Sequence, residues 1–302
     1  MEKRVSGDGS PVWKKRGRAV GGRKRGWIFF LLPSLAGVSV FVLVPFLDVV
    51  RRSFVTAVTK EWAGADNYRN IFGNQAFRLA IHNTMRFTAV CLPLLIGFGL
   101  FAAVCLSRLK KIQLIKSLFL FPLAMPAATV VLIWKMIFSR QGFLNGLLLS
   151  IGFLQEGELF DYMGTEASFW VLVFSYVWKN LGYTIVLWLA GIFAVPESMC
   201  EAARVDGANE RQVFLRVIFP NLKSSLYTIT VLSFLNSFKV FREAYLVAGS
   251  YPHEDMYLLQ HLFNNWFVNL ELDKMAAAAV CVGTVLFVII LLLQRVWRQE
   301  DG

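Results

Sequence analysis

Polar side chains that can bind a solute stand inside two long apolar stretches of the sequence. Lys179 and Asn180 lie in the first stretch, and Asn236 and Lys239 lie in the second. Their ammonium and amide groups can hydrogen-bond the hydroxyl groups of a solute. Because a polar group at bilayer depth is costly, each of these residues is a candidate for function. We therefore predict that these four residues, together with the nearby Tyr183, border a water-filled pathway.

Two interpretations of these polar residues are open. In the first, the amides bind a hydroxyl-rich solute, and aromatic rings stack on the apolar side of a sugar ring. The aromatic candidates are Tyr176, Trp178, Tyr183, Phe234 and Phe241. In the second, Lys239 and Glu243 form an i,i+4 ion pair and the two asparagines bridge helices, as they can in any polytopic protein.

The histidines and cysteines form no catalytic or metal-binding pattern. His82, His253 and His261 fall in loops or at their edges, and the four cysteines have neither paired nor zinc-type spacing. The sequence contains no G-x-x-x-x-G-K-[ST] phosphate-binding loop. We therefore predict that the chain is not an enzyme, has no catalytic or metal-binding residues and binds no cofactor of its own.

The composition is that of a membrane protein. Of the 302 residues, 56% are hydrophobic and 17% are charged, and the mean hydropathy is +0.54. A helix crosses a bilayer core of about 30 Å with roughly 20 apolar residues. Six stretches reach this length: Trp27–Val50, Thr88–Leu106, Ser117–Phe138, Phe169–Val195, Leu222–Ala248 and Met275–Leu293. The predicted fold class is all-α, a polytopic membrane protein with six transmembrane helices.

Two prolines interrupt the third predicted span. Pro122 and Pro126 each lack the backbone N–H that a helix needs, so we expect the helix to bend there. The bend is either a hinge or a static kink, and a static kink is the expected form.

The basic residues predict the orientation of the chain. Lys and Arg concentrate before Trp27, in the loop 107–116, in the segment 196–221 and after the last span. Short cytoplasmic loops hold an excess of such residues, so both termini are predicted to be cytoplasmic. The predicted parts are a basic cytoplasmic tail at 1–26, a six-helix transmembrane domain at 27–296 and a second cytoplasmic tail at 297–302.

The net charge of +11 raises the question of a nucleic acid partner. Much of that charge lies in the first tail, which packs basic residues together between Lys14 and Arg25. We interpret this tail as a solvated segment that fixes the orientation in the membrane, and we expect no nucleic acid partner.

The segment 196–221 is polar and helix-prone, and it lies between the fourth and fifth predicted spans. Gly207 tolerates a left-handed backbone, and Asn209 with Gln212 has the spacing of a capping box. We predict a short helix, a glycine turn and an amphipathic helix that Pro220 closes. The alternative is an amphipathic linker that lies on the lipid headgroups.

The residue pattern of this segment resembles the EAA loop of ABC importer permeases, by which the membrane subunit docks on its ATPase. The matching residues are Glu201, Ala202, Ala203, Asp206, Gly207, Ala208, Phe214, Ile218 and Pro220. The family usually has Leu before the proline, and this chain has Phe219 instead. The resemblance implies that residues 201–208 are a coupling helix seated in a cleft of the ATPase.

Similarity to the carbohydrate-type ABC permeases extends from Trp27 over most of the chain. The sequences DNYRNIF at 66–72, Asn83-Thr84 and LFPLAMP at 120–126 resemble signatures of that group. The segment 237–252 resembles one that usually ends in Gly-Gly-Pro, an ending that this chain lacks.

The resemblance implies an ABC importer permease fold and a subunit of an ATP-driven, binding-protein-dependent importer that moves a sugar or oligosaccharide by alternating access. The implied partners are a second homologous permease, two cytoplasmic ATP-binding subunits that hold ATP and Mg²⁺, an extracytoplasmic solute-binding protein and the lipid bilayer. The implied location is a bacterial or archaeal cell membrane. An ion-coupled secondary sugar transporter is the alternative, but Glu243 is the one acidic candidate well inside a span and the sequence has no evident inverted repeat.

Overall fold

The computed structural model describes residues 26–109, 112–155 and 157–298. The predicted tails lie outside this part of the chain, apart from Gly26, Trp297 and Arg298. The chain divides into two compact units, the first ending at Arg51 and the second beginning at Arg52.

The first unit is helical in its described part. It contains α1 (Gly26–Val38), a π-helical turn (Ser39–Leu43) and α2 (Val44–Arg52), whose last residue belongs to the second unit. Pro33 lies within α1, where a helix dominated by apolar residues continues through it.

The second unit is also built from helices. They are α3 (Asp66–Gly73), α4 (Gln75–Ser107), α5 (Ile112–Ala124), α6 (Ala127–Phe138), α7 (Phe143–Ser150), α8 (Ala167–Ala194), α9 (Glu197–Val205), α10 (Glu210–Val213), α11 (Phe219–Asn221), α12 (Lys223–Ser237), α13 (Phe241–Ala248), α14 (Leu259–Val268) and α15 (Leu272–Arg298). Within the described residues, β-type pairing is limited to one isolated bridge between Val55 and Trp62. The predicted all-α class is therefore confirmed for these residues.

Four described helices are long and apolar enough to cross a membrane. They are Leu31–Arg52, Gln75–Ser107, Ala167–Ala194 and Leu272–Arg295. A fifth candidate is a broken pair, Lys116–Ala124 and Ala127–Ser150, whose two parts meet at 96°. The stretch predicted as the fifth span is divided among α12, a 3₁₀ turn at Phe238–Val240 and α13. The structure therefore gives four to five candidate spans by length and composition, where the sequence predicted six.

The break in the third predicted span lies at Met125 and Pro126. Pro126 has extended backbone angles, φ −60° and ψ 144°, and precedes the first turn of α6. Since proline lacks an N–H, it is well suited to a position just before a helix. Pro122 lies inside α5, which continues past it to Ala124. The expected bend is therefore confirmed, and it occurs at the second of the two prolines.

Helix α8 packs closely against α4 and α5 because small residues lie at the contacts. A β-carbon added at Gly99 in α4 would lie 2.5 Å from the Thr184 Cγ2 atom. One added at Gly182 would lie 2.0 Å from the backbone oxygen of Phe119 in α5. A real Cβ cannot approach a backbone oxygen so closely, so glycine is required at 182 if α5 is to keep this position.

Buried aromatic and aliphatic side chains fill the space around α8. Trp188 and Ile185 pack with Leu189 and Ile229 in one cluster, and Phe87 packs edge-on against Tyr176 in another, with ring centroids 5.3 Å apart. These contacts hold α4, α8 and α12 together, so α8 is the central helix of the second unit.

Polar side chains near the start of α4 hold the segment between α13 and α14. Asn83 donates from its amide to the backbone oxygens of Glu254 (2.6 Å) and Tyr257 (3.0 Å). The Thr84 hydroxyl accepts from the N–H of Leu259 at 3.1 Å. Asn83-Thr84 belongs to the sequence patterns that resemble the carbohydrate-type permeases. In the structure, this pair hydrogen-bonds backbone groups that have no partner within a helix.

Candidate functional site

Helix α8 carries Lys179 and Asn180 near its middle, with a buried serine and tyrosine one turn before them. Asn180 is 8% exposed, and its amide donates to the backbone oxygen of Tyr176 at 2.8 Å. Tyr176 in turn donates its hydroxyl to the backbone oxygen of Ser233 in α12 at 2.7 Å. This face of α8 is therefore fixed to α12 at the depth of Lys179.

The second set of polar side chains comes from the break between α12 and α13. The chain tightens to a 3₁₀ turn at Phe238–Val240, in which residues three apart lie over one another. Asn236, Lys239 and Arg242 have this spacing. The Lys239 ammonium donates to the Asn236 side-chain oxygen at 2.9 Å. The break therefore brings an amide and two cations together along one side of the segment.

A partly buried ion pair joins α8 and α13. The Lys179 ammonium contacts Glu243 Oε1, and the side chains of Lys179 and Glu243 are 20% and 8% exposed. Glu243 is buried and Lys179 is partly buried, and their opposite charges offset part of each other's desolvation cost. The i,i+4 pair between Lys239 and Glu243, one of the interpretations of the sequence, is not the ion pair that the structure forms.

A cavity of about 600 Å³ opens between these elements. It is lined by Met125 and Pro126 at the α5–α6 break, by α8 from Ser175 to Asn180, and by the segment 236–243. Pockets that bind small ligands fall in this size range, about 300 to 1,000 Å³. The bend at Pro126 thus opens a space beside the polar residues of α8.

The cavity brings together four of the five predicted pathway residues. Lys179, Asn180, Asn236 and Lys239 all line it. Tyr183 does not belong to the lining, and its hydroxyl shares a hydrogen bond of 2.7 Å with Ser233 Oγ.

One charged residue of the lining escaped the sequence interpretation. Arg242 lines the cavity and is exposed. In the sequence, Arg242 stands three residues after Lys239 and six after Asn236. This spacing places the three side chains on one side only if the chain forms a 3₁₀ turn there, which the sequence did not predict.

The aromatic candidates divide between lining and packing roles. Tyr176 and Phe241 line the cavity, together with Phe238. Trp178 instead packs against Trp134 with ring centroids 5.3 Å apart. Phe234, 9% exposed, packs against Phe238 at 5.6 Å.

A second candidate site is the segment that follows α8. Helix α9 ends in a Schellman motif, in which the N–H of Ala208 bonds the oxygen of Ala203 (2.9 Å) and the N–H of Gly207 bonds that of Arg204 (3.0 Å). Gly207 has φ +86°, a left-handed conformation that favours glycine. The predicted helix and glycine turn are confirmed.

The next helix begins with the predicted capping box. The side chain of Asn209 accepts from the N–H of Gln212, and the side chain of Gln212 accepts from the N–H of Asn209, both at 2.9 Å. The Arg204 guanidinium donates to Glu210 at 2.9 Å across the turn. That hydrogen bond and the charge of Glu210 raise the pKa of Arg204, and the same contact lowers the pKa of Glu210.

Pro220 lies one residue before the end of this helical run, close to the end that the sequence predicted. A π-helical turn (Phe214–Ile218) links α10 to α11, which contains Pro220 and ends at Asn221. Pro220 lies in the first turn of α11, where its missing N–H is tolerated.

Helix α9 exposes most of its surface. Glu201, Ala202 and Asp206 are exposed, and Val205 is 87% exposed. Cys200 is buried and turns toward the rest of the unit. The exposed face of α9 is thus an apolar and acidic surface that no described residue covers. Two residues separate α9 from the end of α8.

Comparison with known proteins gives a consistent result over most of the chain. Residues 95–299 match the family described as binding-protein-dependent transport system inner membrane component. The arabinooligosaccharides transport system permease protein AraP of Bacillus subtilis is 28% identical over 90% of this chain and 87% of its own length. The lactose transport system permease protein LacF of Rhizobium radiobacter is 27% identical over 91% of this chain and 94% of its own length.

The fold also has a solved counterpart. A chain in the crystal structure of a bacterial ABC transporter involved in the import of the acidic polysaccharide alginate superposes with a TM-score of 0.80 at 20% sequence identity. The match covers 92% of this chain and 98% of that chain. At this level of identity the likeness shows a shared fold.

Proposed function

The chain belongs to the family of binding-protein-dependent transport system inner membrane components, and from this premise we propose that it is the permease subunit of an ATP-driven importer of a sugar or oligosaccharide. The sugar class rests on relatives whose names state arabinooligosaccharide and lactose transport. The chain crosses a bacterial or archaeal cell membrane, and ATP hydrolysis belongs to partner subunits.

We propose six transmembrane helices with both termini in the cytoplasm. The fifth span consists of α12, the 3₁₀ turn and α13 together, from Lys223 to Ala248. At about 1.5 Å per residue, such a length suffices for a bilayer core even though α12 alone is too short. A break in a span is tolerated where its freed backbone groups find partners. Gln260 donates to the backbone oxygen of Phe238 at 2.9 Å and supplies one such partner.

The geometry that supports coupling to an ATPase is the exposed segment after α8. A rigid helix, a glycine turn and a capped second helix form a compact protrusion whose outer surface has no partner in the described chain. We propose that residues 201–208 dock on one of two ATPase subunits and that Pro220 belongs to the helix that returns to the membrane.

The transport cycle follows from differential binding. When ATP closes the ATPase dimer, the coupling helices of this permease and of a second, homologous permease move together. The spans then expose the cavity to a solute-binding protein outside, and hydrolysis resets the inward-facing state. Only contacts that differ between these states shift the equilibrium. Glu201 and Gly207 therefore act by shaping the docking surface and not by catalysing a reaction step.

The coupling assignment is tested in the assembled transporter. We expect Gly207→Pro and Glu201→Lys to leave the protein in the membrane and to lose the ATPase, because the first removes the left-handed turn and the second reverses a charge on the docking face. The measurement is a gentle-detergent purification of each variant, with mass spectrometry of the bound subunits and an ATP-dependent uptake assay. Glu158→Lys, an equal charge reversal at another exposed site, is the matched control.

Recovery of a second six-span permease and an ATPase with the wild-type chain, and loss of the ATPase in both variants, supports the proposal. Normal uptake by both variants contradicts the coupling assignment. Sugar uptake by the chain without any ATPase would instead identify an ion-coupled carrier.

A further inference from the structure

The charges that line the cavity do not balance. Lys179, Lys239 and Arg242 supply three positive charges, and Glu243 supplies one negative charge. Glu243 is buried and forms its ion pair with Lys179. The lining therefore keeps two positive charges, on Lys239 and Arg242, that no carboxylate of the described residues neutralises.

The two remaining cations have weak partners or none among the described residues. Lys239 donates to the neutral oxygen of Asn236, and the side chain of Arg242 forms neither a hydrogen bond nor an ion pair with the described residues. Both side chains are exposed, in contrast to Glu243 at 6%. They are therefore accessible to a solute that enters the cavity.

Lys239 and Arg242 lie where a charged side chain costs free energy, so their presence calls for a functional explanation. The segment 236–243 runs from the end of α12 into α13 within a proposed membrane span, where charged side chains are rare and usually face a water-filled path or a partner charge. A scaffold role is already filled by the Lys179–Glu243 pair, which joins α8 to α13. Lys239 and Arg242 add positive charge that this pair does not need.

We infer that the cavity takes an anionic sugar, one whose ring carries a carboxylate, and that Arg242 and Lys239 bind the anionic group. A guanidinium can donate two parallel hydrogen bonds to a carboxylate, and an ammonium adds a compact point charge. Asn236 and the rings of Phe238 and Phe241 are left to contact the hydroxyl groups and the apolar side of the ring. This inference rests on the proposed function, since it names the class of solute that the importer moves.

The test uses the assembled importer, purified through this chain with its ATPase, second permease and binding protein, in proteoliposomes. The probes are uronate disaccharides (galacturonate, glucuronate and mannuronate), their methyl esters, and a sulfated disaccharide. The methyl ester keeps the size and hydroxyl groups of the uronate but removes its charge. The measured quantity is ATP-dependent uptake, as kcat/KM, for each probe and each variant.

The variants are Arg242→Gln and Lys239→Gln, with Lys135→Gln as the matched control. Lys135 is an exposed lysine on α6 that does not line the cavity. Each cavity variant should lower uptake of a uronate by about tenfold or more, the usual effect of one hydrogen bond to a charged group. Uptake of the methyl ester should change less than about twofold, since its ring contacts persist. Because the binding protein is the same throughout, the ratio of variant to wild type reports the permease alone.

Wild-type importer purified without its binding protein offers a second measurement that needs no variant to fold. If Lys239 and Arg242 hold an anion, the Kd of this complex for the uronate should rise with ionic strength while that for the methyl ester stays constant. Uptake of the sulfated disaccharide in place of every uronate would assign the cations to a sulfate group and overturn the carboxylate assignment.

Two results contradict the inference and leave the proposed function standing. One is ATP-dependent uptake of neutral sugars with exclusion of all the anionic probes. The other is an equal loss of uronate and methyl ester uptake in both cavity variants, which would show that Lys239 and Arg242 act without recognising the carboxylate. Absence of ATP-dependent uptake for every sugar, charged or neutral, contradicts the proposed function as well.

Discussion

Glu243 neutralises Lys179 and so leaves Lys239 and Arg242 as the unpaired charges of the cavity. Its side chain is 8% exposed, and its carboxylate contacts Lys179 on the facing helix. Removing one member of a buried pair leaves the other charge without a partner, which is more damaging than replacing both members by apolar groups. The pair therefore orders α8 and α13 even if its net contribution to stability is small.

We predict that Glu243→Gln lowers the stability of the protein by about 3 kcal/mol, because it leaves the Lys179 ammonium partly buried and unpaired. The double variant Lys179→Met with Glu243→Leu should recover most of the loss. The measurement is thermal unfolding of the purified protein in detergent. Glu158→Gln, which removes an exposed carboxylate, should unfold like wild type. A wild-type unfolding midpoint for Glu243→Gln would show that the pair does not order these helices.

His261 is a second residue whose environment determines its chemistry. It is fully buried in α14, where its Nδ1 atom accepts from the N–H of Leu258 at 3.1 Å and its Nε2 atom has no hydrogen-bond partner within the described residues. Its ring lies edge-on to Phe241 with centroids 4.9 Å apart. Burial lowers the pKa of His261 from 6.5 to about 4.

This lowered pKa predicts a stability that depends on pH. Because the unfolded chain binds a proton at His261 more readily than the folded chain, stability is full above about pH 6.5 and falls as the pH decreases to about 4. The total loss is on the order of 3 kcal/mol. His261→Gln keeps an acceptor for the Leu258 N–H but cannot be protonated. We expect its unfolding midpoint to fall less than that of wild type between pH 7 and pH 5, and equal falls would contradict the assignment.

At the scale of helices, close contacts with α4 and α5 determine the position of α8. Gly182 is the tightest of these contacts, since an added Cβ would lie 2.0 Å from the backbone oxygen of Phe119. A backbone atom cannot rotate away as a side chain can, so α5 as a whole must shift to accept a larger residue.

We predict that Gly182→Ala destabilises the protein by about 2 kcal/mol or more, because it overpacks the α5–α8 contact. Gly97→Ala in α4 is the matched control, because an added Cβ there meets nothing within 4 Å. Alanine favours a helix over glycine by about 1 kcal/mol, so the control should be neutral or slightly more stable. The comparison is made by thermal unfolding in detergent, and equal midpoints for the two variants would contradict the close approach.

The features that were predicted correctly from sequence have signals in neighbouring residues, whereas the features that were missed depend on residues far away in the chain. The turn at Gly207 and the capping box at Asn209 depend on neighbouring residues alone, so their pattern suffices to predict them. The break of the fifth predicted span at Phe238–Val240 has no glycine or proline to mark it. It depends instead on tertiary partners such as Gln260, which lies more than twenty residues later. Arg242 was missed for the same reason, since only the break places it in the cavity.

At the scale of the whole molecule, the orientation in the membrane remains a prediction from charge. Basic residues favour the cytoplasmic side for the segment 196–221, and the acidic segments 139–168 and 249–274 are expected on the opposite side. The acidic segment 249–274 contains Asp255, which binds Arg86 of α4 at 2.8 Å.

We predict that single cysteines placed at Arg204 and Asp161 react with a membrane-impermeant thiol reagent from opposite sides of the membrane. Both positions are exposed, so reactivity depends on the side rather than on burial. The experiment requires replacement of Cys91, Cys105, Cys200 and Cys281, and unchanged membrane insertion of the cysteine-free chain is its control. In intact cells, we expect labelling at position 161 and not at 204. Labelling of both from outside would contradict the proposed topology.

Helix α9 follows α8 after a short non-helical break, so the central helix links the docking segment to the cavity. Two residues, Val195 and Pro196, separate the end of α8 from the start of α9. From Ala194 back to Asn180 the helix rises about 21 Å at 1.5 Å per residue. An α-helix resists compression along its axis because every turn is hydrogen-bonded to the next. A displacement that α9 passes through the non-helical backbone at Val195 and Pro196 therefore reaches the cavity wall along one rigid helix, and α5 must move with α8 because Gly182 leaves no clearance against Phe119.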